Sequence, residues 1–453
     1  MSNLSFLGKK WIFSSKNSRG GLIENLKKIR GIKECGFHPP EKLKDLEKAA
    51  ERIRSAIKCG ERILIVGDYD ADGICASVIL FKSLASLGAE VSVRLPDRIK
   101  HGYGLNREFI DEAKKLGVKL IITVDNGISA TQEIELANSL GINVIITDHH
   151  ISPEKLPNAF AIVNPRQTDC EYPEKNLCGA AVAYKLATVL LNQKPRTNNQ
   201  EPITKNQELT DELLALAAIG TLADVCELSG ENRTIVAEGL RKIPRIKNPG
   251  LQRILANAGL NSKISSDDIG FRIAPRLNAA GRLDSPLIAF QALVRRGEEA
   301  EKFADGLEKL NLWRRQLTEK LLAEVEARLD EIGAEKILIV GGENFHPGII
   351  GLAAGQLAEK YHRPTIVMSG TNEKFVGSCR SPLPEFNITE ALQDNSDLLQ
   401  KFGGHRSAAG FTIESKNRAA FEKKMSDYAR AKIEKIELVP QLKIDSRVEE
   451  QNL

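Results

Sequence analysis

The sequence lacks paired cysteines, long apolar stretches and a strong excess of charge of either sign. Its seven cysteines lie far apart, are odd in number and include no Cys-x-x-Cys pair, a pattern that argues against a disulfide framework or a zinc ribbon. No apolar run approaches the ~20 residues that cross a bilayer, and the N-terminal stretch lacks the apolar core of a signal peptide. These absences predict a soluble protein of the cytoplasm with reduced thiols and no membrane partner.

The charge balance leaves the class of partner open. With 64 basic and 60 acidic residues, the formal net charge is +4, which neither supports nor excludes a nucleic acid. A chain of 453 residues is too long for one ordinary core, so two or three domains are expected.

Short apolar strands alternate with helical patterns between residues 61 and 148. The runs ILIV, LIIT and VIIT are apolar at consecutive positions, as in parallel strands that helices cover on both faces. Each run ends in a loop that contains aspartate, and ligands bind beyond the carboxyl ends of such strands. The pattern predicts a parallel-sheet α/β domain whose acidic loops converge on one crevice.

A strongly helical stretch and a second α/β pattern follow this domain. Leucines recur near 3.5-residue spacing after about residue 289, and EKILIVGG begins the second pattern. The predicted divisions are an N-terminal segment packing on the main domain (1–55), the parallel-sheet domain (56–288), a long connecting helix (289–334), a smaller α/β domain (335–436) and a tail (437–453).

Acidic residues and histidines concentrate in the loops after the predicted elements. The set comprises Asp68, Asp70 and Asp72 in GDYDADG, Asp125 in VDNG, Asp148, His149 and His150 in TDHH, and Asp224 in GTLADV. Carboxylates crowded into one loop repel one another unless a cation neutralises them. Alone, the first run could also be a solvated turn or a calcium loop, although the EF-hand spacing is absent. Each residue taken singly could be a helix N-cap or a core histidine.

Several carboxylates with one or two histidines favour Mn²⁺ or Mg²⁺ over thiolate-bound zinc. Their number favours two ions. Two ions roughly 3.5 to 4 Å apart can activate a water and stabilise the leaving oxygen in phosphoryl transfer. The cysteines inside motifs, Cys75, Cys226 and Cys379, are interpreted as small packing residues.

The ordered motifs GDYDADG, VDNG, TDHH and GTLADV resemble the DHH phosphoesterase superfamily. GFRIAPRLNAAGRL, FHPGIIGLAAGQLAEKYHRP, GSCRSP and GGHRSAAG narrow the resemblance to RecJ-type single-strand-specific exonucleases, from about residue 29 to the end. The resemblance implies a DHH domain joined by a long helix to a smaller DHH-associated domain, with the active site in the cleft between them. It implies that Asp70 and Asp125 hold one ion, that Asp72, Asp125, His149 and Asp224 hold the other, and that Asp68, Asp148 and His150 orient ligands or contact the scissile phosphate.

Basic residues and glycines in the remaining motifs are candidate phosphate contacts. The segment GFRIAPRLNAAGRL contains Arg272, Arg276 and Arg282 and does not follow a standard amphipathic helical pattern. These arginines could bind phosphate or simply be solvated. Ser378 and Arg380 alternate in GSCRSP and should point the same way. The resemblance implies that they recognise a 5′-phosphorylated end together with Arg98. Gly403, Gly404 and His405 in GGHRSAAG predict a sharp turn that a phosphate can approach. His346 and Trp313 stay open between substrate contact and a structural role.

The resemblance implies a two-metal hydrolase that degrades single-stranded DNA from the 5′ end to mononucleotides, in DNA repair and recombination. It would work as a monomer, with a single-strand-binding protein or a helicase as candidate partner. Two alternatives stay open: a DHH phosphodiesterase of short oligonucleotides or cyclic dinucleotides, and a catalytically silent nucleic-acid-binding scaffold. RecJ proteins commonly continue into an OB-fold where this sequence stops, which predicts either a truncated sequence or a weaker grip on the strand.

Overall fold

The computed structural model of the chain describes residues 9–13, 22–98, 100–192, 203–328, 335–436 and 438–445. The chain divides into a first unit, residues 31–311, and a second unit, residues 1–30 and 312–453. The strands are β1 Lys10–Phe13, β2 Ile63–Val66, β3 Val91–Arg94, β4 Leu120–Val124, β5 Asn143–Thr147, β6 Ala161–Val163, β7 Leu338–Gly342, β8 Thr365–Gly370, β9 Lys374–Arg380, β10 Leu399–His405, β11 Ala408–Glu414 and β12 Gln441–Ile444.

The helices of the first unit begin with α2, and α13 continues into the second unit. The α-helices are α1 Leu22–Ile29, α2 Leu46–Lys58, α3 Ala71–Ser86, α4 Arg107–Lys115, α5 Thr131–Ser139, α6 Gly179–Leu191, α7 Ile203–Ala223, α8 Gly230–Lys242, α9 Pro249–Asn257, α10 Ser266–Asp268, α11 Ala274–Leu283, α12 Leu287–Val294, α13 Gly297–Ala327, α14 Ile350–Tyr361, α15 Ile388–Gln393 and α16 Arg418–Ile433. In the described part of the chain, no helix is both long and apolar enough to cross a membrane.

The first unit is built on a five-stranded parallel sheet in the order β3-β2-β4-β5-β6. Consecutive residues of its central strands enter two different cores: Ile121 and Val144 pack in one, Ile122 and Ile145 in the other. This two-sided burial is the reason that the strands are apolar at every position. The strand order reverses between β2 and β4, and that reversal opens a crevice at the carboxyl edge of the sheet.

The second unit contains a mixed sheet in the order β10-β11-β9-β8-β7, in which β7 and β8 pair in parallel and the other neighbours pair antiparallel. Alternate residues of β9 are buried, so Phe375 and Cys379 enter the core with Phe411 and Phe421. The intervening residues, including Ser378 and Arg380, lie on the opposite face. In the same unit β1 pairs with β12 in parallel.

The predicted fold class is confirmed, because a parallel-sheet domain, a helical connection and a second α/β unit are all present. Within residues 289–334 the structure has the end of α12 and the 31-residue α13. The predicted domain boundaries stay predictions. Parts of the predicted domains lie outside the described residues, namely 1–8, 14–21, 99, 193–202, 329–334, 437 and 446–453.

Candidate metal centre

The loops that follow β2, β4 and β5 carry the acidic residues predicted to meet. Asp68 and Asp70 follow β2, Asp125 follows β4, and Asp148 begins the loop after β5. All four carboxylates lie at the carboxyl edge of one sheet, on either side of the strand-order reversal. The sequence prediction that three acidic loops converge is therefore confirmed.

Two carboxylates are held by the amino ends of helices. Asp70 is the N-cap of α3 and accepts hydrogen bonds from the amides of Asp72 and Gly73, both at 3.0 Å. Asp72 accepts hydrogen bonds from the Gly179 and Ala180 amides at the start of α6, at 2.7 and 2.9 Å. The free amides and the helix dipole at these ends stabilise negative charge. Both aspartates are thus positioned by backbone rather than by flexible side chains.

Asp125 has an unusual backbone conformation for a residue other than glycine. Its φ is 62°, in the left-handed region that costs about 1 to 3 kcal/mol unless the surroundings impose it. Its amide donates to the Thr147 carbonyl at 2.9 Å, and its own carbonyl accepts from the Tyr103 hydroxyl at 2.7 Å. These contacts hold the carboxylate so that Oδ1 lies 3.0 Å from Nε2 of His149.

Asp148 is fully engaged inside the protein. One oxygen accepts from the Ile128 amide at 2.9 Å, and the other accepts from the amides of His149 and His150 and from Nδ1 of His150, at 2.7, 3.1 and 2.8 Å. Burial raises the pKa of Asp148, but the hydrogen bonds and charge of His150 outweigh burial and lower the pKa overall. The Asp148 carboxylate is therefore bound by groups of the TDHH loop and by Ile128, and its supporting role at the metal centre stays a prediction.

His149 is placed to act as a ligand in its neutral form. Burial and the neighbouring His150 lower the pKa of His149 to about 4. Its Nε2 faces Asp125, and its Nδ1 lies 3.8 Å from Oδ2 of Asp224. A neutral imidazole is the form that binds a metal ion.

Three groups of side chains have ligand atoms within 4.8 Å of one another: Asp68–Asp70–Asp125, Asp72–His149–Asp224 and Asp125–His149–His150. Asp125 and His149 each belong to two groups, and the Asp125 carboxylate, with its two oxygens, could be shared by neighbouring ions. Asp68 and His150, which the sequence analysis placed beside the ions, also fall inside these groups. The individual roles of all these residues stay predictions.

Buried polar atoms that make no hydrogen bond provide an independent test of whether a cation fits this site. Oδ1 of Asp68, Oδ1 of Asp125 and Nδ1 of His149 are buried and make no hydrogen bond among the described residues, although Nε2 of His149 lies close to Oδ1 of Asp125. Such atoms cost free energy unless a ligand satisfies them. Burial and the neighbouring carboxylates raise the pKa of Asp68 and Asp125, which a cation would reverse. Oxygen ligands with imidazole suit Mn²⁺ or Mg²⁺, so the residues present fit the predicted pair of ions.

Two glycines let helices approach these carboxylates and were missed by the sequence analysis. A Cβ at Gly179 would lie 2.5 Å from Cβ of Asp125, and a Cβ at Gly220 would lie 2.4 Å from Oδ1 of Asp72. Asn278 was missed as well, although its Oδ1 accepts from the Ala71 amide at 2.8 Å and fixes the start of α3. Gly220 lies in GTLADV and Asn278 in GFRIAPRLNAAGRL, so the quoted motifs contained a signal for these two residues but not for Gly179. The motifs did not reveal their partners, which lie far away in the sequence.

Replacing Gly179 with alanine is expected to destabilise the fold by about 1 to 3 kcal/mol, since the new methyl group overpacks a buried site. It should also weaken Mn²⁺ binding, because Asp125 must move. Urea unfolding and calorimetric Mn²⁺ titration measure the two effects. Gly355→Ala is the matched control: a Cβ at this position of α14 would meet no described atom within 4 Å, so the change should be neutral or slightly stabilising. Unaltered Mn²⁺ affinity in Gly179→Ala would contradict the prediction.

The predicted phosphate-binding arginines of the first unit separate into two kinds. The Arg98 guanidinium lies over the Tyr69 ring, 5.1 Å from its centre, and Arg282 is among the charges that act on Tyr69. A Cβ at Gly281 would lie 2.4 Å from the Tyr69 carbonyl oxygen, so α11 packs directly on the acidic loop. Arg98 and Arg282 are thus brought to the metal centre.

Arg272 and Arg276 are bound by protein partners instead. Arg272 contacts Asp268 at 3.1 Å and the Ala258 carbonyl. Arg276 binds both carboxylate oxygens of Glu308 on α13, at 2.5 and 3.2 Å. Their segment is helical with a π-turn at Ile269–Ile273. Pro275 follows this turn and has no amide proton to donate to a helical hydrogen bond. That turn explains the irregular pattern seen in the sequence, and these contacts favour a bracing role.

In the second unit, Ser378, Arg380 and His405 share one face of the mixed sheet. Strand register aligns Arg380 with Ala408 and His405, and Nη1 of Arg380 lies 3.2 Å from Oγ of Ser378. The predicted common direction of Ser378 and Arg380 is confirmed.

The predicted sharp turn at Gly403–Gly404 is wrong. Both glycines lie in β10, and the chain reverses at residues 406–407. Gly404 has a φ of 149°, and a Cβ there would lie 2.4 Å from the Ala408 carbonyl oxygen. Glycine is required for this close pairing of β10 with β11. His346 accepts from the Gly348 amide at 3.0 Å and packs against Trp313, contacts that favour a structural role for both residues.

Comparison with known proteins identifies both units. Residues 62–221 match the model of the DHH family, N-terminal domain, and residues 334–431 match the DHHA1 domain. The single-stranded-DNA-specific exonuclease RecJ of Bacillus subtilis is 37% identical over 91% of this chain and 51% of its own length. RecJ of Escherichia coli is 33% identical over 90% of this chain and 74% of its own length.

Solved structures agree with this comparison. The structure of exonuclease RecJ bound to manganese superposes with a TM-score of 0.74 at 34% identity, covering 87% of this chain and 98% of the other. RecJ of Thermus thermophilus in complex with Mn²⁺ gives 0.79 at 29% identity, covering 97% and 65%. The chain spans about half the length of the Bacillus relative. The chain belongs to the RecJ family of DHH proteins.

Proposed function

We propose that the chain is a metal-dependent exonuclease that hydrolyses the phosphodiester bonds of single-stranded DNA from the 5′ end and releases mononucleotides, in DNA repair and recombination. The observation that carries this proposal is the set of three overlapping ligand groups at the carboxyl edge of the parallel sheet. Relatives named single-stranded-DNA-specific exonucleases, at 33 to 37% identity, support the choice of substrate.

In this proposal Asp70, Asp72, Asp125, His149 and Asp224 hold two divalent cations, Mn²⁺ or Mg²⁺. When bound, these cations supply Lewis-acid activation of a water and neutralise charge on the reacting phosphate. Asp68 completes the first ligand group. Asp148 fixes the ring of His150, whose side chain is 41% exposed, so that this imidazole can contact a phosphate oxygen.

Phosphate recognition is assigned to basic and backbone groups beside the acidic loops and on one face of the mixed sheet. We assign Arg98 and Arg282 of the first unit and Ser378, Arg380, Gly403, Gly404 and His405 of the second unit. Guanidinium groups bind phosphate bidentately, and exposed glycine backbone lets a strand approach closely. Arg272 and Arg276 are assigned a bracing role, because Asp268 and Glu308 already bind them.

The test is Mn²⁺-dependent digestion of one 40-nucleotide strand labelled at either end, with duplex DNA, RNA and a dinucleotide as parallel substrates. Mononucleotides released first from the 5′ end of the single strand are expected. Activity confined to the dinucleotide would replace the proposal with a short-substrate phosphodiesterase, and binding without hydrolysis would indicate a scaffold. The Asp125→Asn variant, purified identically, excludes a contaminating nuclease.

Replacing Arg380 with alanine is expected to reduce the preference for a 5′-phosphorylated over a 5′-hydroxyl end. Losing a hydrogen bond from a charged group costs about 1.5 to 3 kcal/mol, or roughly 10- to 100-fold in the ratio of kcat/KM values. Arg406→Ala is the matched control, because Arg406 lies in the adjacent turn and binds the Pro384 carbonyl. An equal ratio for Arg380→Ala and the unmodified protein would refute the assignment.

The proposed location is the cytoplasm, and the proposed state is a monomer that works with a single-strand-binding protein or a helicase. Unpaired cysteines support the location. Light scattering on the purified chain tests the monomer, and a larger particle at micromolar concentration would contradict it.

A further inference from the structure

Two free thiols lie against the ligand group formed by Asp72, His149 and Asp224. Cys178 is the N-cap of α6, and its sulfur accepts from the Ala181 amide at 3.4 Å. Cys226 follows α7, and its thiol donates to Oδ2 of Asp224 at 3.3 Å. The activity proposed above uses neither thiol.

Thr221 connects the two cysteines. Its hydroxyl oxygen lies 3.5 Å from Sγ of Cys178, and its carbonyl accepts from the Cys226 amide at 3.2 Å. Thr221 thus contacts both cysteines and brings them near each other in the fold. Burial raises the pKa of the Cys178 thiol, and the nearby Cys226 thiol raises it further.

Each cysteine adjoins a residue that shapes the metal centre. The amides of Gly179 and Ala180, directly after Cys178, bind Asp72 at 2.7 and 2.9 Å. Asp224 precedes Cys226 by two residues. A covalent bond between the cysteines would therefore act on both carboxylates of the ligand group.

The segment that carries Cys226 is more exposed and more strained than the segment that carries Cys178. Val225 is 86% exposed and has a φ of 55°, a conformation that costs a β-branched residue about 1 to 3 kcal/mol. Cys226 is partly exposed, whereas Cys178 is buried at the start of a buried helix. Rearrangement at residues 224–226 would relieve backbone strain, so oxidation should move Asp224 rather than α6.

We propose that Cys178 and Cys226 form a reversible disulfide on oxidation by a hydroperoxide, and that this bond draws Asp224 away from His149 and weakens cation binding. The accessible Cys226 sulfur attacks hydrogen peroxide, the O–O bond breaks, and a first water leaves, so that Cys226 becomes a sulfenic acid. The Cys178 sulfur then attacks the Cys226 sulfur, the S–O bond breaks, and the second water carries away the remaining thiol proton. Two electrons pass from the thiols to the peroxide, and dithiothreitol reverses the change by thiol exchange.

The experiment exposes the purified chain to hydrogen peroxide in chelator, removes both reagents and measures three properties. Peptide mass spectrometry should find Cys178 linked to Cys226 with the loss of two hydrogen atoms. Calorimetric Mn²⁺ affinity should fall about 10- to 100-fold, the size typical of disturbing groups that orient metal ligands. Dithiothreitol should restore both properties, together with digestion of single-stranded DNA.

Two variants complete the design. Cys226→Ser should lose the linked peptide and keep its Mn²⁺ affinity after peroxide, whereas Cys59→Ser, which removes an exposed thiol, should respond like the unmodified chain. Absence of the linked peptide, or a linked peptide with unchanged Mn²⁺ affinity, would overturn the proposal. The digestion readout rests on the proposed activity and the Mn²⁺ readout on the proposed metal ligands, whereas the linked peptide rests on neither. If no DNA were hydrolysed, the peptide and Mn²⁺ measurements would still decide the role of the thiols.

Discussion

Replacing Asp125 with asparagine is expected to lower Mn²⁺-dependent turnover of single-stranded DNA by about 10³-fold or more. Asp125 belongs to two ligand groups, so in the proposed site its loss would remove negative charge from both cations at once. Metal ions contribute several kcal/mol of transition-state stabilisation, and each 1.36 kcal/mol corresponds to a tenfold change in rate. Asparagine has nearly the same shape and also tolerates the left-handed backbone found here.

The same variant should fold at least as stably as the unmodified chain when metal is absent. Burial, followed by the charges of neighbouring aspartates, raises the pKa of Asp125. A raised pKa means that the folded state disfavours the ionised carboxylate, so its negative charge costs folding free energy at neutral pH. Asparagine removes this cost. A melting temperature equal to or above that of the metal-free unmodified protein, with lost turnover, is the expected combination.

Two outcomes would contradict the prediction. Turnover within tenfold of the unmodified protein would show that Asp125 is dispensable as a shared ligand. A markedly lower melting temperature in chelator would show that the carboxylate stabilises the fold. Asp97→Asn, at a loop aspartate outside the three ligand groups, is the control for a general effect of removing an acidic residue.

Replacing Lys185 with methionine is expected to reduce the free energy of unfolding by about 3 to 5 kcal/mol, the range for breaking a buried ion pair by removing one partner. Lys185 and Glu231 are ion-paired with side chains only 3% and 0% exposed. Lys185 also donates to the His38 carbonyl at 3.1 Å. Glu231 would be left buried without its counter-charge, although the His38 amide and the Tyr172 hydroxyl still donate to it, at 2.8 and 2.6 Å.

A second change separates lost charge pairing from lost packing. Adding Glu231→Gln removes the stranded charge: the amide oxygen can accept from the His38 amide, and the amide nitrogen can donate to the Tyr172 hydroxyl oxygen. Lys185→Met with Glu231→Gln should therefore recover much of the lost stability. Urea unfolding gives the free energies. Lys247→Met is the matched control, because Lys247 is exposed and pairs with exposed Glu208, so it should unfold like the unmodified chain. No recovery in the double variant would assign the loss to packing.

Local sequence patterns predicted the structure correctly wherever the backbone geometry repeats along the chain, as it does in strands. Consecutive apolar runs predicted two-sided burial of β4 and β5, and parallel strands necessarily end at the same edge, so Asp70, Asp125 and His149 could be expected to converge. The alternation of Ser378 and Arg380 likewise predicted a shared face. A pair of glycines is compatible with either a tight turn or a closely paired strand. At Gly403 and Gly404 the sequence pattern predicted a turn, whereas the structure has a strand.

Periodicity over a few residues predicted the two α/β patterns and the strand ends that carry the carboxylates, and the resemblance to a known family supplied the identity of the candidate ligands. The groups that orient these ligands became evident in the folded structure alone. The Gly179 amide binds Asp72 across 107 positions, and Asn278 fixes the Ala71 amide across 207. The folded structure also shows that Arg276 is bound by Glu308 and that Cys178 and Cys226 both contact Thr221. Such partners depend on how helices pack over the sheet, and helix packing brings together residues whose separation in sequence follows no period.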